Sequence, residues 1–405
     1  MKIVFLSNYF NHHQKPLSDA LYARCEWFWF IATGKMRKER ELLGYEKITE
    51  PYVLQWESGA QKTILKWIDE ADVVIAGSAP EHLLRRRKRN RKLIFRYSER
   101  PVKGEREPLK YLPRLLRWNL RNPRPVPIYL LSASAYAPYE YRKFFLFQKR
   151  AYQWGYFTEV ISYPQGYAAL EKQKEPNSIL WAGRMIGMKH PEAALQAAEK
   201  LKEEGFRFKL KMIGAGPLMK DLEETVREKG LADVVSLPGA LSPGQVRGVM
   251  EKSEIFLFTS DKNEGWGAVL NEAMSSGCAV VASHEIGAVP YLVKHGENGM
   301  IYRDADRADL YLKVKQLLVD QQLRRACAGH AYETMAQTWN AEVAAERLLQ
   351  LTRRILQGEK HPVLYESGPC SAAGVLKDDW FVKENGTFPT ETGRRTGNLE
   401  NEKNQ

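Results

Sequence analysis

The sequence predicts an α/β protein made of two doubly wound parallel sheets. Short apolar runs alternate with helical stretches through residues 1–162. A polar stretch at 163–177 interrupts that rhythm, and the same alternation restarts at Ser178. Parallel strands buried on both faces read as unbroken apolar runs, and each needs a crossover, usually a helix, before the next.

In the first array, Lys2 to Leu6 reads as a buried strand and not as a leader peptide, since the apolar run is short and meets Asn8 and His12-His13. Further strands are predicted at 27–31, 72–76, 92–97 and 127–131, with helices at 16–24, 60–70, 81–89, 109–120 and 139–153. Ligands of such sheets bind beyond the carboxyl ends of the strands. Loop 7–13, stretch 96–100 and residues 132–134 therefore share one rim. His12 and His13 either contact a phosphate or acceptor there or are solvated loop residues, and Glu99 is a candidate acceptor-side contact.

The second array predicts strands at 179–182, 208–213, 234–237, 255–259, 279–282 and 300–302, with helices at 191–204, 218–229, 243–252 and 268–275. The pattern is helical from 309 to 356. The division expected is 1–162, a linker at 163–177, a second domain at 178–337, a helix at 338–358 crossing back, and an extension at 359–405, polar and disordered from about 383.

Composition narrows the function classes. The chain has 405 residues, with 61 Lys and Arg against 49 Asp and Glu, a net +12 that favours anionic partners. Two basic regions stand out: Arg85 to Lys92, and Lys110, Arg114, Arg117, Arg121 and Arg124 interleaved with Tyr111, Leu115, Leu116, Trp118 and Leu120. They read either as solvated helix faces or as helices lying on an anionic membrane surface. No RRM, zinc-finger or helix-turn-helix signature supports nucleic acid. The four cysteines, Cys25, Cys278, Cys327 and Cys370, are widely spaced, which suits free thiols in a reducing, cytoplasmic compartment. No apolar run reaches spanning length, so a cytoplasmic protein, peripheral on the inner face of the plasma membrane, is expected.

The chain is organised around Glu264-Gly265-Trp266-Gly267-Ala268-Val269-Leu270-Asn271-Glu272. A strand leads in, glycines allow a tight turn and close ligand approach, and good helix formers follow. The free N–H groups of that helix start suit a phosphate. Glu264 and Glu272 flank this anion site. Carboxylates repel phosphate, so they are expected to accept hydrogen bonds from neutral hydroxyls on either side of it, the layout of a nucleotide sugar. Arg184 and Lys189, on the loop after strand 179–182, are two surface cations or a diphosphate clamp. Gly214-Ala215-Gly216 lacks the third glycine of a dinucleotide fingerprint and reads as a structural turn. Asp304-Ala305-Asp306 reads as a helix cap rather than a metal motif, so no metal is expected.

These motifs resemble the E-x7-E signature and the G-R-x4-K clamp of the retaining GT-B glycosyltransferases, family four, the bacterial cell-envelope polysaccharide type included. The resemblance is close from 179 to 302 and weaker in the first 160 residues. It implies a GT-B fold of two Rossmann-like domains facing across a cleft. It implies sugar transfer with retention from a nucleotide sugar to a lipid-linked or oligosaccharide acceptor, with no cofactor. Arg184, Lys189 and Glu264 would carry the chemistry. Glu272, Gly183, Gly265, Trp266, Gly267, Ala268, Val269, Leu270, Gly214, Leu237 and Pro238 would bind the donor. The rival readings are a GT-B-shaped binding subunit without turnover and a dehydrogenase.

Overall fold

A computed structural model describes residues 1–35, 48–57, 59–102 and 108–381, the side chains of 108–111 excepted. The polar tail expected to be disordered lies outside the described residues.

The first sheet comprises β1 (Lys2–Ser7), β2 (Trp27–Ala32), β3 (Val53–Gln55), β4 (Val73–Ala76), β5 (Ile94–Ser98), β6 (Ile128–Ser132) and β7 (Ala151–Gln153), in the order β3-β2-β1-β4-β5-β6-β7. The second comprises β8 (Ser178–Ala182), β9 (Lys209–Ile213), β10 (Val235–Gly239), β11 (Ile255–Phe258), β12 (Ala279–Ser283) and β13 (Met300–Tyr302), in the order β10-β9-β8-β11-β12-β13. Every strand pair in both sheets is parallel. Central strands such as β4, β11 and β12 are buried at every position, as unbroken apolar runs require.

Each sheet reverses its strand order once, between β1 and β4 and between β8 and β11. Loops leaving adjacent strands at such a point diverge and leave a crevice. The loops after β1 and β4 carry 7–13 and 77–80; those after β8 and β11 carry 183–189 and 259–267. The two rims meet over an apolar seam in which Trp154, Phe157, Trp266, Tyr291 and Trp339 are in ring contact.

Three features differ from the sequence reading. Strands β3 and β7 were not expected. The helix expected over 139–153 is only Ala137–Arg142; Phe145, Phe147 and Lys149 then take φ of 58°, 55° and 57° and turn the chain into β7. The basic run from Arg85 is not a uniform solvated or membrane-facing surface. Arg87 is fully buried and donates to the carbonyls of Ile68, Ala71, Asp72 and Leu93. Burial pulls its pKa down to about 10, so it stays charged at neutral pH. Arg86 pairs with Asp69 at 3.1 Å and Lys88 with Glu81 at 2.7 Å.

The chain end returns to the first sheet. Helix Ala341–Leu356 packs against helix Lys15–Arg24, with Arg24 paired to Glu342. Residues 370–373 run antiparallel to the β7 edge through Gln153 N–H to Ser371 O (2.8 Å) and Ala373 N–H to Ala151 O (2.9 Å). Asp378 then meets Arg100 at 2.9 Å, Trp380 donates to the Tyr136 hydroxyl, and Phe381 packs on His284 and His295 of the second unit.

Candidate functional site

The crevice between β8 and β11 brings Lys189 and Glu264 into direct contact. The Lys189 ammonium donates to the Glu264 carboxylate, and Ser260 Oγ donates to the same oxygen at 3.1 Å. Both side chains are about one-seventh exposed, at 15% and 14%. The lysine loop is pinned by Thr259, whose hydroxyl donates to the Lys189 carbonyl at 2.7 Å and accepts from Trp181 Nε1 at 2.9 Å. Arg184 is exposed on the same loop and makes no ion pair among the described residues.

Helix Ala268–Ser275 starts from Gly267 at φ 91°, where a Cβ would collide with the Phe258 ring. Glycine there is therefore required by both conformation and space. Ala268 and Val269 are half-buried, whereas Leu270, expected to bind donor, is fully buried and its N–H already donates to the Gly267 carbonyl at 2.9 Å. Trp266 is also fully buried; its indole donates to Asn271 Oδ1 at 2.8 Å and packs in the seam. Its side chain is thus a packing element, and only its backbone faces the turn. Glu272, half-buried and one turn further on, meets His13 Nε2 from the other unit at 3.3 Å.

The remaining expected residues fall as follows. A Cβ on Gly214 would run into the Gly183 carbonyl, and one on Gly216 into that of Met185. Both glycines interlock the loops after β8 and β9. Leu237 is partly buried against the second core, and Pro238 is exposed on the edge strand β10. Glu99 lies against Gly265, with no room for a Cβ between them, and accepts from the Tyr156 hydroxyl at 3.0 Å. Contacts that join the units at this site include Glu99 with Gly265 and His13 with Glu272. His12 stacks near His13, with ring centroids 4.0 Å apart.

The sequence reading missed the supports. Ser260 holds Glu264, and Tyr156 holds Glu99 while its carbonyl accepts from Asn271 at 2.9 Å. A serine or tyrosine beside a polar loop carries no signal of its own.

Beyond the first switch point lies a cavity of about 530 Å³. Its lining includes Glu99, Tyr156, Arg96, Trp118, Arg121 and Tyr141. Arg96 is held by Glu81 at 2.6 Å, whereas Arg121 lies over the Trp118 ring at 5.4 Å. Aromatic faces and fixed polar groups of this kind suit a saccharide or an acidic headgroup.

Asp306 caps helix Arg307–Val319 by accepting from Asp309 N–H at 2.9 Å, and Asp304 accepts from Ser283. Among the described residues, the cluster with metal-ligand spacing is His12, His13 and Glu272, whose ligand atoms lie within 4.8 Å of one another. No described helix is long and apolar enough to cross a membrane.

Residues 167–334 match the family model described as glycosyl transferases group 1. The chain is 26% identical over 186 residues to the putative colanic acid biosynthesis glycosyltransferase WcaL of Salmonella typhimurium, covering 44% of this chain and 46% of that protein. It is 28% identical over 180 residues to the alpha-D-kanosaminyltransferase of Streptomyces kanamyceticus, covering 44% and 45%. The chain thus aligns with less than half the length of these curated relatives. Among solved structures it resembles Anabaena Alr3699/HepE in complex with UDP, with a TM-score of 0.62 and 16% identity, covering 88% of this chain and 99% of that one. The fold is GT-B.

Proposed function

We propose that this chain, whose residues 167–334 belong to glycosyl transferases group 1, moves a sugar from a nucleoside-diphosphate sugar to a hydroxyl acceptor with retention of configuration, in envelope polysaccharide or glycolipid synthesis. The observation that carries the reading is the juxtaposition of Lys189, Glu264 and a helix N-terminus at the β8/β11 crevice. A cation from one loop, with a carboxylate and free N–H groups from the next, match phosphate and hydroxyl groups within one ligand.

In this account Arg184 and Lys189 bind the diphosphate, and the backbone N–H groups of Gly267, Ala268 and Val269 bind its distal phosphate, the Leu270 N–H being taken by the Gly267 carbonyl. Glu272 accepts from the ribose hydroxyls and Glu264 from the sugar hydroxyls. The Lys189 ammonium has three donors, so it can hold Glu264 and a phosphate oxygen together. The leaving diphosphate takes the acceptor proton on the face it departs from. The protein stabilises the charge that develops as the glycosidic bond breaks. Arg184, Lys189 and the helix start supply that stabilisation without a metal ion. WcaL is named for colanic acid synthesis, which supports an envelope role, and HepE holds UDP, which makes UDP-sugars the first donors to try. The free thiols fit a cytoplasmic site of action.

Incubating the chain with UDP-, GDP- and ADP-sugars tests this. Release of nucleoside diphosphate from one donor class is expected. Binding without turnover across the panel would favour a non-catalytic GT-B subunit.

A further inference from the structure

Helix Pro108–Arg121 turns two of its faces to different tasks. Leu115 and Trp118 face inward and pack against the core behind the first sheet. Leu112, Leu116 and Leu120, four residues apart, point outward and are 61%, 58% and 78% exposed. Large apolar side chains at this spacing form a continuous stripe, and such a stripe left in water needs an occupant. Arg117 and Arg124 are exposed beside it, and no acidic residue occurs between 108 and 127.

A second element adjoins the stripe. Asn119, next to Leu120, donates to the Phe144 carbonyl at 3.1 Å, and Trp118 meets Tyr141 edge-on at 5.2 Å. These contacts fix the turn in which Phe145 takes φ 58° and is 57% exposed. The left-handed region disfavours a bulky residue, so the turn holds Phe145 there against its own preference. Arg142, Lys143 and Lys149 are exposed on the same turn. Apolar side chains flanked by cations, with no exposed carboxylate among the described residues of helix 108–121 and turn 142–149, complement an anionic lipid surface better than a protein groove or bulk water.

We infer that the outer face of helix 108–121, with the Phe145 turn, docks the protein on an anionic phospholipid bilayer, and that the acceptor is carried by a lipid in that bilayer. Trp118 and Arg121 come from the same helix and wall the 530 Å³ cavity next to Glu99. Docking therefore sets the cavity wall at the headgroup layer, where a lipid-borne saccharide reaches it without leaving the membrane. Arg121 is the cation in that wall suited to the phosphate of a lipid carrier. The docking claim stands on the surface alone; the acceptor claim rests on the transfer reading.

The test is co-sedimentation of the full chain with vesicles of phosphatidylcholine alone and of equimolar phosphatidylcholine and phosphatidylglycerol. The chain should partition onto the anionic vesicles and be released by salt. Leu112→Ser, Leu116→Ser and Leu120→Ser should each weaken partition roughly tenfold, about the loss of one apolar side chain's burial. The three leucines are exposed, so the thermal midpoint should not move. Hydrogen exchange on the unsubstituted chain, read at 112–124 and 142–149, should slow when anionic vesicles are added. Equal partition onto both vesicles, unchanged exchange, or a leucine-dependent dimer in sedimentation would overturn the docking claim. Turnover of a soluble acceptor by the triple serine variant separates the claims. Intact turnover with lost partition supports docking as a separate device. Absent turnover in the unsubstituted chain would refute the transfer reading and leave the partition result standing.

Discussion

Removing Lys189 should separate the two tasks assigned to it. Lys189→Ala withdraws a cation from the diphosphate position and leaves Glu264 with the Ser260 hydroxyl as its remaining side-chain donor among the described residues. Breaking a fully buried ion pair by deleting one partner costs about 3–5 kcal/mol. Here both side chains keep about one-seventh of their exposure, and solvent screening brings the expected cost to about 2 kcal/mol. For a domain of this size, that lowers the melting temperature by roughly 4–8 °C. Transfer should fall by about 10²–10³, the usual effect of deleting one preorganised charge donor. Adding Glu264→Gln to Lys189→Ala removes the orphaned charge, so it should restore most of the lost melting temperature while activity stays low. Differential scanning fluorimetry reads the first quantity and nucleoside diphosphate release the second. Equal melting temperatures for the single and double variants would refute the ion-pair account. Normal transfer by Lys189→Ala would refute the diphosphate role.

Glu272→Ala should weaken nucleoside diphosphate binding by about tenfold to a hundredfold, the value of a charge-assisted hydrogen bond; calorimetry showing unchanged affinity would remove the ribose assignment. Glu264→Gln should lower turnover more than it lowers nucleoside diphosphate affinity, because its contact is with the sugar, and an equal loss in both would contradict that. A pH effect follows from Glu285. Burial, then the charges of Asp304 and Asp378, push its carboxyl up to about 7. The folded state thus favours the protonated acid. That stability is complete below the ordinary carboxylate range and is lost as pH rises through about 7. Glu285→Gln should therefore flatten the fall in melting temperature between about pH 5 and pH 8, and an unaltered profile would show that this group does not control it.

The elements that local pattern specifies were legible in the sequence. β11, the glycine turn and helix Ala268–Ser275 form one continuous signal, because a buried strand, a left-handed glycine and helix formers each write their own local signature. The loop after β8 that carries Arg184 and Lys189 was legible for the same reason. What escaped depends on partners distant in sequence. β3 and β7 are three-residue edge strands whose identity comes from pairing. The 139–153 run has helical composition, yet its turn at 145–149 is held by contacts to Asn119 and the first core. Arg87 looks like its exposed neighbours, but four carbonyls brought together from 68–93 bury it. Trp266 sits in the middle of the motif and faces away from the crevice, because Gly155 leaves the space its ring fills. The meeting of His13 with Glu272, and of Glu99 with Gly265, is a property of how the two sheets face each other.

The most direct measurement is phosphorus NMR of the donor during turnover in EDTA. The electrostatic account predicts that the nucleotide-sugar diphosphate signals are replaced by those of free nucleoside diphosphate at an undiminished rate. It also predicts that Arg184→Ala slows this conversion by about 10²–10³. Conversion that stops in EDTA and returns with Mg²⁺ or Mn²⁺ would contradict it, and would direct attention to His12, His13 and Glu272 as the ligands of an ion.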